Sequence, residues 1–153
     1  MKHGNTVRML SGLVLLAFSL SPAALADNKG CSNTSLKGTF AFTGTGFFVS
    51  PPALAGPLAE VGTQNFDGRG ATTYTATLSQ NGNIVPVTAT GTYTVNPDCT
   101  GTMTVQVAPF GITLHISFAI ASSGNEFHAI ETEAGAVITR IARRQFPDGD
   151  WRQ

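Results

Sequence analysis

The chain has 153 residues, with nine Lys and Arg against nine Asp and Glu, so its formal net charge is zero. Only 12% of residues are charged while 42% are hydrophobic, which leaves no basic stripe to neutralise phosphates and argues against a nucleic-acid partner. The length suits one domain with a core of useful size.

The chain opens with a leader pattern. Lys2, His3 and Arg8 form a basic region, Met9 to Leu20 an apolar run of 12 residues, and Ala24-Leu25-Ala26 a small-residue cleavage signal. Residues 1–26 thus read as a secretory signal peptide, too short for a spanning helix, with cleavage after Ala26. Removal leaves 127 residues, with seven basic side chains against nine acidic ones. The expected location is secreted or periplasmic. In such an oxidising compartment the two cysteines, Cys31 and Cys99, form a disulfide by default.

Beyond the leader, short alternating segments follow one another between turn signals. Thr72-Thr73-Tyr74-Thr75-Ala76-Thr77-Leu78 and Val87 to Val95 show the alternation best, with threonine or another small residue at every second position. Side chains on a strand point to opposite faces in turn, so one face meets water and the other packs. The spacing predicts eight strands near 36–49, 58–66, 70–79, 84–95, 101–108, 111–121, 125–132 and 136–144. Gly-containing turns join them, among them Asp67-Gly68-Arg69-Gly70, Gln80-Asn81-Gly82-Asn83 and Asn96-Pro97-Asp98-Cys99-Thr100-Gly101. A single longer connection, Ser50 to Leu58, is apolar and Pro-rich, and reads either as a lid over a barrel mouth or as a rigid cap. Residues 146–153, with Pro147 and Gly149, read as a mobile tail. The fold expected over residues 27–145 is all-β: an eight-stranded antiparallel up-and-down barrel, calycin-like, with a β-sandwich as the alternative.

Four stretches carry a resemblance: Leu36-Lys37-Gly38-Thr39-Phe40, Phe66-Asp67-Gly68-Arg69-Gly70, Gly91 to Thr102 with its Asn-Pro-Asp-Cys-Thr-Gly turn, and the closing Ala142-Arg143-Arg144-Gln145. Together they resemble a group of small secreted bacterial barrel proteins, similar in turn to lipocalins and allene oxide cyclases. The resemblance implies an eight-stranded barrel and brings no catalytic residues. Lipocalins open with Gly-x-Trp and stack a basic side chain over it; Gly38-Thr39-Phe40 offers Phe instead, with Arg140 or Arg143 as the partner. Biotin-binding barrels use several tryptophans, and Trp151 stands alone here.

Nucleophile motifs, metal-ligand spacing and phosphate loops are absent from the sequence, and no cofactor is expected. The polar cluster worth following is Glu126, His128, Glu131, Glu133 and Arg140 on the last two strands. Turned inward it supplies acid–base groups, with His128, Glu131 and Arg140 as the catalytic candidates; turned outward it is a solvated face. Gly38, Gly44, Gly46, Ala76, Ala89 and Gly91 are expected to leave internal space. Three functions follow: binding of a small apolar molecule by Phe40, Phe42, Tyr74, Tyr93 and Phe118, a cyclase or isomerase acting on an apolar substrate, or a packed interaction domain without ligand.

Overall fold

The computed structural model describes Met1 and residues 30–145; the remainder of the expected leader and all of the expected tail, Trp151 included, lie outside the described residues. Eight strands follow in order: β1 (Gly38–Phe48), β2 (Gly56–Phe66), β3 (Ala71–Gln80), β4 (Asn83–Val95), β5 (Thr100–Ala108), β6 (Ile112–Ala121), β7 (Glu126–Glu131) and β8 (Ala136–Arg144). Each pairs antiparallel with its neighbours in sequence, and β8 pairs with β1 to close the barrel. Closure leaves no strand edge unpaired, so the up-and-down barrel holds and the sandwich does not.

The alternation accounts for the faces. Along β5, Gly101, Met103, Val105 and Val107 are buried while the intervening Thr and Gln side chains are exposed. β3 repeats the pattern with Thr72, Tyr74, Ala76 and Leu78 inward. β2 begins two residues earlier than its hydrophobic pattern suggests, so the first connection shrinks to residues 49–55.

One end of the barrel is filled. Phe40, Phe66 and Phe127 meet edge-to-face or tilted, with ring centroids 5.4–5.6 Å apart. Tyr93 and Phe118 extend this cluster through Phe66 and Phe127. The short 3-10 segment Asn33–Leu36 plugs the same end with Leu36 fully buried. The plug is pinned by polar groups: the backbone N–H of Gly68 donates to the Tyr93 hydroxyl, which donates to Asn33 O, each at 3.0 Å, and Val95 N donates to Asn33 Oδ1 at 2.8 Å. Arg144 lies 4.6 Å above the Phe40 ring and donates to the carbonyls of Ser35, Lys37 and Gly124. The basic side chain stacked over Phe40 is therefore Arg144, not Arg140 or Arg143. β8 turns even-numbered residues inward, so Arg143 faces solvent, and Arg140 sits higher in the interior.

Cys31 and Cys99 are bonded, tying the plug to the β4–β5 turn across 68 residues of chain. Closing a loop of that length restricts the unfolded chain by roughly 4 kcal/mol on the chain-entropy view. The double variant Cys31→Ser, Cys99→Ser is expected to lose stability of about that size while keeping its barrel. Urea unfolding of both proteins checks this, and an unchanged midpoint would remove the bridge from the account.

Candidate functional site

Above the aromatic cluster the interior changes character. β1 places Gly44 directly between Glu60 of β2 and Arg140 of β8. All three face inward, and the two long side chains meet over the glycine: Arg140 Nε donates to Glu60 Oε1. A Cβ at Gly44 would overlap the Glu60 carboxylate and come within 3.1 Å of Arg140 Cγ. Glycine is needed here because the pair occupies the space a side chain would take. On β7, Glu131 brings a second carboxylate, with Oε1 3.4 Å from Arg140 Nη2. All three side chains are only 4% exposed. The guanidinium also lies 5.2 Å from the ring centroids of both Phe42 and Tyr74, which favours its charge further.

Two polar atoms of this cluster have no hydrogen-bond partner among the described residues: Arg140 Nη1 and Glu131 Oε2. Leaving such groups unmade costs roughly 1–3 kcal/mol each. Burial pushes the Glu131 carboxyl up to about 7, with Glu60 and Glu133 adding to the rise and Arg140 opposing it. Arg140 pays the same desolvation, but Glu60, Tyr74 and Glu131 outweigh it and hold the guanidinium charged.

Beyond the charged layer the barrel is hollow. A cavity of about 410 Å³ opens at the end opposite the plug. Its wall is mainly aliphatic, with Leu58, Leu78, Val85, Val87, Val107 and Leu114 beside Phe48, Gln80 and Asn83; Glu60, Tyr74, Glu131 and Arg140 also line it. Medium-sized side chains here, against the phenylalanines at the other end, leave the space. Leu54 and Phe110 line the mouth from loops on opposite sides of the barrel. The Leu54 connection is tied down, since Gln80 Nε2 donates to Leu54 O and Asn81 Nδ2 to Ala55 O, both at 2.7 Å.

The expected site residues separate accordingly. Tyr74 lines the cavity, and Phe42 packs against it with ring centroids 5.7 Å apart. Phe40, Tyr93 and Phe118 belong to the filled end and do not reach the chamber. Glu131 and Arg140 come together inside. His128 does not join them: it is 55% exposed on the outer face, with Nε2 2.7 Å from Glu126 Oε1. Glu133 is likewise outside, bonded to His115 at 2.5 Å. The glycines do not create the hollow: a Cβ on Gly46 or Gly91 would strike backbone of the neighbouring strand, and Gly44 houses the ion pair. Glu60 escaped the sequence reading. The signal was present, because Leu58, Glu60, Gly62, Gln64 and Phe66 share one face of β2, with apolar residues at both ends.

No protein-family model matches the chain, and no curated protein sequence matches it. Among solved structures, the chain is similar to a redesigned β-barrel, with a TM-score of 0.53 and 18% identity over 74% of this chain and 94% of that one. A second neighbour, the redesigned β-barrel mFAP1 bound to DFHBI, gives a TM-score of 0.52 and 18% identity over 73% of this chain and 97% of that one. At this identity the likeness is one of fold: a small closed β-barrel.

The raised carboxyl has a consequence for stability. Folded, Glu131 holds a proton up to about pH 7, whereas the unfolded chain releases it near the ordinary value of 4.5. Its contribution is therefore greatest at low pH and is lost as pH rises from about 4.5 to 7, by an amount on the order of 3 kcal/mol. Glu131→Gln is expected to remove that slope. Urea midpoints of the two proteins from pH 4.5 to 7.5 test it, and parallel curves would show that Glu131 titrates normally.

Proposed function

We propose that this chain is an exported barrel that binds a small, mainly apolar molecule in its open chamber. The observation that carries the reading is the division of the interior: one half is packed with aromatic rings, the other is hollow, aliphatic and floored by buried charges. A volume of about 410 Å³ lies within the range of small-molecule sites, which combine apolar walls with a few convergent polar groups. That one barrel neighbour holds DFHBI supports small-molecule binding by a fold of this kind. Export rests on the leader pattern of residues 1–26, and the Cys31–Cys99 bridge agrees with an oxidising compartment.

One observation favours a second reading, proton transfer on an apolar substrate by an isomerase. Glu131, with a carboxyl at about 7 and one unpaired oxygen, sits beside a fixed cation in an apolar chamber. Glu131 and Arg140 alone would serve it, since His128 is outside the barrel.

Two valines on one face of β5 separate hollow from filled. Val107 lines the chamber, whereas Val105 does not line it and is fully buried. Val107→Trp is expected to fold with little loss and to abolish uptake of an environment-sensitive apolar fluorophore. Val105→Trp is expected to cost at least about 1–3 kcal/mol through overpacking. Fluorophore titration and urea unfolding provide the readouts. Undiminished dye binding in Val107→Trp would contradict the interior site.

A further inference from the structure

The polar floor restricts what can occupy the chamber. Granting the chamber as a binding site, we infer that it selects an uncharged apolar ligand whose head group both donates and accepts hydrogen bonds, an alcohol, phenol or carboxamide, and that it rejects carboxylates. Arg140 Nη1 is a donor without a protein acceptor among the described residues, and Glu131 Oε2 is an unpaired oxygen of a residue lining the same chamber. Both atoms are already out of reach of water, and a pure hydrocarbon would leave both unmade. A hydroxyl or carboxamide supplies an acceptor for the guanidinium and a donor for the carboxylate.

Charge excludes the obvious competitors. The chamber floor already holds two carboxylates, Glu60 and Glu131, against the single guanidinium of Arg140, all nearly inaccessible to water. A ligand carboxylate would add a third negative charge and could not donate to an ionised Glu131. An ammonium would face the Arg140 cation and give Nη1 no acceptor. A ketone would satisfy Nη1 but, where Glu131 is ionised, leave its Oε2 bare.

The protonation of Glu131 sharpens the discrimination. The charged or titratable groups facing it are Glu60 from β2, Tyr74 from β3 and Arg140 from β8, with Glu133 just past the end of β7; on β6, His115 points outward to Glu133. A hydroxyl can donate to the ionised carboxylate or accept from the protonated acid, so its binding survives on both sides of pH 7. A carboxylate can be accommodated only when Glu131 carries its proton, so its disadvantage should widen as pH rises from about 5.5 to 8.

The test uses one body with four heads: naphthaleneethanol, naphthaleneacetamide, naphthaleneacetate and ethylnaphthalene, titrated into the purified protein by naphthalene fluorescence. The ethanol and acetamide should bind about tenfold more tightly than ethylnaphthalene, with the acetate weakest at pH 8 and recovering at pH 5.5. Glu131→Leu should reduce the advantage of the alcohol over the hydrocarbon to the share that Arg140 Nη1 supplies, and Glu131→Gln should keep it while improving acetate binding at pH 8. Circular dichroism confirms that each variant folds. Binding of none of the four would overturn the chamber as a binding site. Equal binding of all four, acetate binding tightest at pH 8, or an alcohol preference undiminished in Glu131→Leu would overturn the head-group inference alone.

Discussion

The interior is organised by one interaction: the guanidinium of Arg140, held out of water by Glu60 on one side and Glu131 on the other. A charge in that position is expensive unless it is paired, and pairing it requires three strands to converge at fixed heights. β2 and β8 supply Glu60 and Arg140 on either side of β1, and Gly44 between them gives way to both. β7 adds Glu131 from the far side of β8. The register of the barrel closure is thus coupled to the charge pairing. A slip of one residue along β8 would turn Arg140 to the outside and Ile141 inward.

The same layer divides the two halves of the barrel. Below it, Phe40, Phe66, Phe118, Phe127 and Tyr93 pack ring to ring under the plug of Asn33–Leu36, which the disulfide and Arg144 fasten. Above it, aliphatic side chains line a space they do not fill. Replacing a buried ion cluster by apolar residues of similar size is often neutral or stabilising in other proteins. Fold stability alone therefore gives little reason to keep three charged groups at the floor of an apolar chamber. Their unpaired atoms, Arg140 Nη1 and Glu131 Oε2, give a reason drawn from recognition.

Most of the barrel was legible in the sequence because strand alternation is a local signal. Met103, Val105 and Val107 against Thr102, Thr104 and Gln106 can be read without knowing what lies across the sheet. The site was less legible because its logic is non-local. β8 is apolar on both faces, with Ile138 and Ala142 inward and Val137 and Ile141 exposed, so alternation could not tell which way Arg140 pointed. β7 has the same ambiguity at Phe127, Ala129 and Ile130. Glu60 drew no attention because a carboxylate is rarely buried and its partner lies 80 residues away. The inward glycines suggested empty space, but whether a missing side chain leaves a void depends on what the neighbouring strand puts there. Hollow and filled halves differ by the sizes of side chains brought together from several strands, which no single strand reveals.

The most direct measurement is a crystal structure of the protein grown with naphthaleneethanol. The two rings are expected in the chamber between Leu78, Val107 and Leu114, with the hydroxyl within hydrogen-bonding distance of Arg140 Nη1 and Glu131 Oε2. A chamber filled by its own side chains, or a ligand seated on the outer face with Arg140 and Glu131 untouched, would contradict it.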